Sequence, residues 1–288
     1  MKILVTGGAG FIGRHLVKRL QEKGHTVTIY DNFSNSKKDG LNTTVIEGDI
    51  RDAGDVQRAM KDTEVVFHLA AISNARDTDE DAMYNTNFMG SKNVFEAAKA
   101  AGAKVIFTSS AAVYGDNKLA KETDECKPIN QYGKSKLRAE RIAPGDAFVT
   151  RLFNVYGPGS SSVVNKFCGL IPKYEDVTVN GHGTQTRDFI YVDDVVNALV
   201  MGLDMSGVYN VGTNTETSVM QLVDIIHEMT KSKPNVKFLP AVNEIQRSRA
   251  DITKISATEW YPKVELVDGI RNILVSQGFD FSVVEHLK

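Results

Sequence analysis

The sequence predicts an α/β protein built on a doubly wound parallel sheet, with a smaller α/β lobe behind it. Three observations carry this. Short apolar runs alternate with segments of helical periodicity from Ile3 to Ser110, the pattern of repeated βαβ units. Val65-Val66-Phe67-His68-Leu69-Ala70-Ala71 is apolar almost throughout, as a strand covered on both faces should be. The first apolar run leads into Thr6-Gly7-Gly8-Ala9-Gly10-Phe11-Ile12-Gly13, a strand-to-helix turn with glycines spaced Gly7-x-x-Gly10-x-x-Gly13. A turn without Cβ atoms lets the backbone approach a pyrophosphate. The free N–H groups and the positive end of the following helix then hold the anion.

The elements follow in order. Ile3-Leu4-Val5 reads as the first strand and residues 11–20 as the first helix, with Ile12, Leu16, Val17 and Leu20 at helical spacing. Gly24 ends that helix, and residues 26–30 form the second strand, closed by Asp31. An acidic residue there can accept hydrogen bonds from an adenosine ribose and would repel a 2′-phosphate, which favours NAD over NADP. Lys37 and Lys38 are the contrary signal, unless they belong to a solvated loop. Residues 45–50 are the third strand, 55–60 a short helix and 65–71 the fourth strand, whose small terminal residues would let a flat ring lie close. His68 within it reads as a strand histidine whose ring is satisfied by partners in the fold. Residues 83–101 form a long helix carrying Asn87 and ended by Gly102, and residues 104–110 the fifth strand. Ligands on such sheets lie beyond the carboxyl ends of the strands. The glycine turn, Asp31, Asp49, Ala70-Ala71 and Ser109-Ser110 are therefore expected to converge on one crevice.

Bulk properties exclude several classes. The 288 residues suffice for one large domain or a domain plus a smaller lobe. Lys+Arg of 34 against Asp+Glu of 36 leaves a formal charge of −2, which gives no electrostatic case for nucleic acid or a charged membrane. No run approaches the roughly 18 apolar residues of a membrane span, and the opening residues do not read as a secretory signal. Cys126 and Cys168 lack metal-ligand spacing and read as free thiols in a reducing compartment. A cytoplasmic protein with no metal is expected.

Chemistry enters with the helix that begins near Gln131. Tyr132 and Lys136 are i and i+4 and share one helix face. A cationic neighbour favours tyrosinate, which would make the phenol a proton shuttle near neutral pH. A serine from the end of the fifth strand could hydrogen-bond the reacting oxygen. Tyr114 and Lys118 have the same spacing, but Gly115-Asp116-Asn117 is a turn sequence. Tyr114 therefore reads as a structural residue or a wall of a substrate pocket.

Taken in order, the glycine turn, Asp31-Asn32, Gly48-Asp49-Ile50, Leu69-Ala70-Ala71, Ser109-Ser110-Ala111-Ala112-Val113-Tyr114-Gly115 and Tyr132-x-x-x-Lys136 resemble the extended short-chain dehydrogenase/reductase family, and within it the nucleotide-sugar epimerases. Arg151-Leu152-Phe153-Asn154-Val155-Tyr156-Gly157-Pro158 and Arg187-Asp188-Phe189-Ile190-Tyr191-Val192-Asp193-Asp194 extend the resemblance over nearly the whole chain. It implies a Rossmann domain over residues 1–157, to which 184–212 return, and a nucleotide-sugar-binding lobe mainly over 158–288. By position, NAD would touch Gly7, Gly10, Phe11, Ile12, Gly13, Asp31, Asn32, Asn35, Ser36, Asp49, Ile50, Leu69, Ala70, Ala71, Asn87, Ser109, Tyr132, Lys136 and Phe153. Ser110, Tyr132 and Lys136 would be catalytic. Ser110 and Tyr132 would face the sugar hydroxyl, and Asn154 and Arg187 would hold the nucleotide diphosphate. The implied reaction is 4-epimerisation, as between UDP-glucose and UDP-galactose, by transient oxidation at C4 and return of hydride to the other face. Family dehydratases and decarboxylases carry a carboxylate where this chain has Ala111 and Ala112, which disfavours both. A nucleotide-sugar 4-reductase remains an alternative, and a non-catalytic dinucleotide sensor is argued against by the intact Ser110, Tyr132 and Lys136.

The second half begins with a sixth strand at residues 147–152, then a stretch rich in Ser, Gly and Pro. Residues 190–203 read as a helix, 208–212 as a strand, and Ser218 as a cap for a helix over 219–230. Helices at 251–257 and 266–275 close the chain. Two departures from the family pattern stand out. A second diphosphate-binding arginine is replaced by Ala241, for which Arg247 or Arg249 could substitute unless both are solvated. Asn180 stands where an aromatic ring commonly lies by the base. His182 beside it reads as a surface residue. The resemblance also implies a homodimer formed through the helices at 83–101 and 132–142, with Gly90 allowing close approach.

Overall fold

The computed structural model describes residues 1–73, 79–242 and 244–282. They fall into two compact units. Met1–Gly115, Glu122–Leu152 and Val195–Val211 make the first; Asp116–Lys121, Phe153–Asp194 and the chain from Gly212 onward make the second.

In the first unit β1 (Lys2–Thr6) leads through the glycine turn into α1 (Phe11–Glu22), β2 (Thr26–Asp31), β3 (Thr44–Glu47), α2 (Ala53–Ala59) and β4 (Val65–His68). Next come α3 (Glu80–Met83), a π-helical turn (Tyr84–Gly90), α4 (Ser91–Ala101) and β5 (Lys104–Ser110). β6 (Asn117–Ala120) belongs to the second unit, and α5 (Gln131–Arg141) and β7 (Phe148–Leu152) return to the first. The second unit takes β8 (Asn154–Tyr156), α6 (Val163–Leu170), β9 (Val177–Asn180), β10 (Thr186–Arg187) and β11 (Phe189–Tyr191). α7 (Val192–Met201) and β12 (Gly207–Val211) follow, then β13 (Thr217–Ser218), α8 (Val219–Thr230), β14 (Val236–Leu239), β15 (Ser248–Ala250), α9 (Thr253–Ser256) and α10 (Leu266–Ser276).

Among the described residues the first unit holds a seven-stranded sheet in the order β12-β7-β5-β4-β1-β2-β3. Every neighbouring pair is parallel. Strand order reverses between β1 and β4, so the crevice of this switch point opens beside the glycine turn and the end of β4. Leu4, Val66, Val105, Phe107 and Val149 of the central strands pack with Val94, Phe95 and Ala98 of α4 and Ala139 of α5. A ring as fully buried as Phe107 contributes on the order of 2–3 kcal/mol by leaving water.

The elements differ from the sequence expectation where side chains override pattern. β4 stops at His68: Leu69 still donates to Thr6 O at 3.0 Å, then the chain leaves the ladder to lie against Gly7. The helix expected over 83–101 is broken by the π turn, because the Asn87 amide is drawn to Ile72. Ile190 does not begin a helix; it pairs with Val155 in the parallel β8–β11 ladder, and α7 starts at Val192. β3 is a short, exposed edge. In the second unit β6–β15, β8–β11 and β9–β14 are parallel pairs and β10–β13 is antiparallel. Ser218 caps α8 as expected, in a capping box with Gln221.

Candidate active site

The glycine turn is shaped by backbone rather than side chains. Gly7 has φ +70°, and a Cβ there would lie 2.7 Å from Ala70 N. A Cβ on Gly13 would lie 2.4 Å from Gly7 O. Gly10 N donates to Gly7 O at 3.1 Å, and α1 starts at Gly10 with no side-chain cap. The N–H groups of its first turn are thus left for an anion. Asp31 stands at the end of β2, accepting from Ala9 N (3.0 Å), Phe33 N (2.9 Å) and Ser36 Oγ (3.0 Å). Arg14, which sequence reasoning passed over, bonds Ala9 O and the carbonyls of Lys37 and Asp39, strapping the loop that carries Asn35 and Ser36 to the glycine turn. Lys38, the residue that argued for a 2′-phosphate, is paired with Glu47 at 2.5 Å and lies over the Phe33 ring. The pairing removes its cation from that argument. Asp49 accepts from Asn32 (3.0 Å) and from two nitrogens of Arg51 (2.9 and 2.7 Å). The Arg51 guanidinium holds its carboxyl well below the usual range, over an opposing burial effect. Arg51 is a second omission; only its i+2 spacing from Asp49 signalled it. Phe11 and Ile12 open α1 half-buried, Ile50 is buried, and Leu69, Ala70 and Ala71 are half-buried at the end of β4.

Asn87 is fully buried and its amide is committed. Oδ1 accepts from Ile72 N (2.7 Å), and Nδ2 donates to Ile72 O and Ser135 Oγ (both 3.0 Å). Ser109 is buried too, its hydroxyl donating to Glu140 Oε2 at 2.7 Å. The side chains of both residues expected to touch NAD are thus engaged within the protein.

α5 carries the candidate reacting groups. Asn130 caps it through Gly133 N at 2.8 Å, and Tyr132, Lys136 and Glu140 follow at four-residue intervals on one face. Burial pushes the Tyr132 phenol up, and a hydrogen bond with Ser110 works against that shift. Burial brings the Lys136 ammonium down to about 7, opposed by Glu140. The Lys136 nitrogen lies 4.5 Å from the centre of the Phe107 ring. This corrects the expectation that Lys136 lowers the tyrosine's pKa. In the protein alone desolvation governs both groups, and Ser110 is the neighbour that favours tyrosinate. Glu140 forms a buried ion pair with Arg151, whose Nη1 donates to Tyr114 OH at 2.9 Å. Tyr114 OH in turn donates to Asn210 Oδ1 at 2.6 Å. Of the two readings of Tyr114, the structural one holds: its ring is 3 % exposed. Glu140 and Arg151 were missed, although Glu140 continues the i, i+4 series.

Phe153 is buried and Asn154 exposed, the Asn154 backbone N–H donating to Asp188 O at 2.9 Å. Arg187 donates to Glu244 Oε2 at 2.9 Å. Asp188 is buried, receiving N–H groups from Thr213, Asn214 and Ala250 and the Thr213 hydroxyl. Both departures from the family pattern lie together. Leu239 pairs with Asn180 in the β9–β14 ladder, and a Cβ on Gly181 would touch that of Ala241 at 3.6 Å. Arg247 pairs with Glu216, and Arg249 donates to Asn214 Oδ1 at 3.0 Å. His182 is exposed. Both cysteines are free thiols. Among the described residues there is no cluster fit to hold a metal and no helix long and apolar enough to cross a membrane.

The fold has close counterparts. Residues 3–212 match the family model described as the NAD dependent epimerase/dehydratase family. A putative UDP-glucose 4-epimerase of Methanocaldococcus jannaschii is 36% identical, covering 94% of this chain and 97% of that one. A UDP-N-acetyl-alpha-D-glucosaminuronate decarboxylase of Bacillus cytotoxicus is 32% identical over 95% of this chain and 96% of its own. The crystal structure of Thermus thermophilus UDP-glucose 4-epimerase in complex with NAD superposes with a TM-score of 0.91 at 29% identity, over 96% of this chain and 99% of that one. The side-chain-free glycine cradle, the open first turn of α1 and Asp31 at the end of β2 fit such a dinucleotide. The chain belongs to the NAD dependent epimerase/dehydratase family, as an enzyme whose cofactor is NAD.

Proposed function

We propose that this enzyme is a nucleotide-sugar 4-epimerase, interconverting UDP-glucose and UDP-galactose. The observation that carries the reading is the placement of Ser110 at the end of β5, where it bears on the Tyr132 phenol, with Lys136 one turn along α5 and Ala111 and Ala112 directly after Ser110. Tyr132 is then the group that takes the proton from the sugar C4 hydroxyl, and Ser110 holds the oxygen from which it leaves. When bound, NAD would supply the hydride acceptor for C4 and the hydride that returns to it. After the 4-keto sugar has turned over, Tyr132 gives the proton back. Asn154 and Arg187 are assigned to the nucleotide diphosphate, with Glu244 releasing Arg187 when that anion arrives.

Decarboxylation of a UDP-uronic acid is the second reading, favoured by relatives such as the Bacillus enzyme. It shares the oxidation at C4 but lacks here the glutamate expected just before Val113-Tyr114. Replacing Tyr132 with Phe should reduce interconversion by about 10³-fold or more while NAD stays bound. Full activity in Tyr132→Phe would end this assignment.

We also propose a homodimer, through the faces of α3, the π turn, α4 and α5. Tyr84 and Ile142 are each 40% exposed there, and Arg138 lies over the Tyr84 ring. Gly90 takes no part in this. A Cβ on it would strike Ile50 at 2.6 Å, so its close approach lies inside the subunit. Sedimentation at micromolar concentration should give twice the 31.6 kDa chain mass, and Tyr84→Asp should give the monomer; a monomeric wild-type chain contradicts the proposal.

A further inference from the structure

Beneath the crevice lies a hydrogen-bond chain that no role so far explains. His68 is 0% exposed, stacked on Phe107 and edge-on to Phe95. Both of its ring nitrogens are bonded: Nδ1 to Thr6 Oγ1 at 2.7 Å, Nε2 to Ser91 Oγ at 2.8 Å. The donors fix the direction of every bond. The Ser91 hydroxyl proton goes to Asn87 O at 2.6 Å, so Ser91 must accept from His68, and the ring proton sits on Nε2. Nδ1 then accepts from the Thr6 hydroxyl, which itself receives Ala70 N–H at 3.3 Å. From Asn87 the amide passes to Ser135 Oγ, and the Ser135 hydroxyl donates to Tyr132 O at 2.8 Å. Thr6 opens the glycine turn, Ala70 lies at the end of β4, and Tyr132 is the proposed proton carrier. One neutral imidazole thus joins the two halves of the crevice. The π turn at Tyr84–Gly90 gives Asn87 the extra residue that aims it at both Ile72 and Ser135.

We propose that His68 is a positioning residue whose two ring nitrogens serve different ends: the Nδ1 acceptor fixes the glycine turn through Thr6, and the Nε2 donor fixes the Tyr132 helix through Ser91, Asn87 and Ser135. The imidazole stays neutral throughout. Burial and the nearby Lys136 bring its pKa down to about 3, so it is uncharged at working pH, and its hydrogen-bond partners select the tautomer.

The two ends can be separated. Asparagine places its oxygen near the Nδ1 position and glutamine its amide near Nε2. His68→Asn should keep NAD affinity in the cofactor-free protein within about threefold of wild type, yet lower turnover per bound NAD about tenfold. His68→Gln should do the reverse, weakening NAD about tenfold while turnover per bound NAD stays within about threefold. Equal losses in both variants, or none in either, overturn the proposal, since a merely structural histidine would not split the two measurements. The turnover arm rests on the 4-epimerase reading; the NAD arm and a spectroscopic one do not. Ring ¹⁵N–¹H correlation spectra of the wild-type protein, with its six histidines and His68→Asn for assignment, should show the Nε2–H tautomer unchanged from about pH 5 to 8. An Nδ1–H tautomer, or titration in that range, contradicts the relay. A wild type that turns over no nucleotide sugar would refute the reaction and leave both other readouts intact.

Discussion

Lys136 is the residue at which the proposed function and stability oppose each other. It is 2% exposed and faces Phe107 rather than a carboxylate. Its folded pKa, about 7, lies below the ordinary 10.5. Between those two values the unfolded chain binds more protons than the folded one, so stability rises with pH across this window. Below pH 7 the buried charge exerts its full penalty. Lys136→Met should therefore stabilise the cofactor-free protein at pH 6 by at least about 1 kcal/mol, with a smaller gain at pH 10. Urea unfolding at the two pH values checks this, and a destabilised variant at pH 6 contradicts it. The same substitution should abolish turnover, the usual conflict between a strained site and a stable one.

At the scale of elements, α5 is held to the sheet by Glu140. Its pair with Arg151 on β7 is buried at 7% exposure on each side, and Ser109 of β5 adds a further bond. Arg151→Met leaves a buried carboxylate without its cation and should cost about 3–5 kcal/mol by urea unfolding. Adding Glu140→Gln should restore a large part of that. A double variant no better than the single one would show that the pair acts through something other than charge. The central strands and long helices were legible in the sequence because apolar periodicity alone places them, as with β5, α1 and α8. What escaped was decided by side-chain bonds that periodicity does not encode. Asn87 turns a regular helix into a π turn, and Ile190 joins a strand because β8 offers it a ladder. The two-to-four-residue strands of the second unit, such as β6 and β15, carry too few residues to show a period.

At the scale of the whole molecule, the candidate site was legible where chemistry is carried by spacing. The glycine turn, Asp31, Ser110, Tyr132 and Lys136 could be picked out because each motif states its own geometry. The residues behind them, Arg14, Arg51, Glu140 and Arg151, act through side-chain bonds that no motif states and left little trace. The two family departures, Asn180 and Ala241, adjoin one another in the second unit, on β9 and after β14. In the 4-epimerase reading the chemistry rests on Ser110 and Tyr132. The most direct test is to incubate the NAD-loaded enzyme separately with UDP-glucose and UDP-galactose, separate the products and follow reduced cofactor by absorbance. The 4-epimerase reading predicts the same equilibrium mixture from either side, with no net gain or loss of reduced cofactor. No conversion of either sugar, or conversion that consumes added reduced cofactor in equal measure, would contradict it.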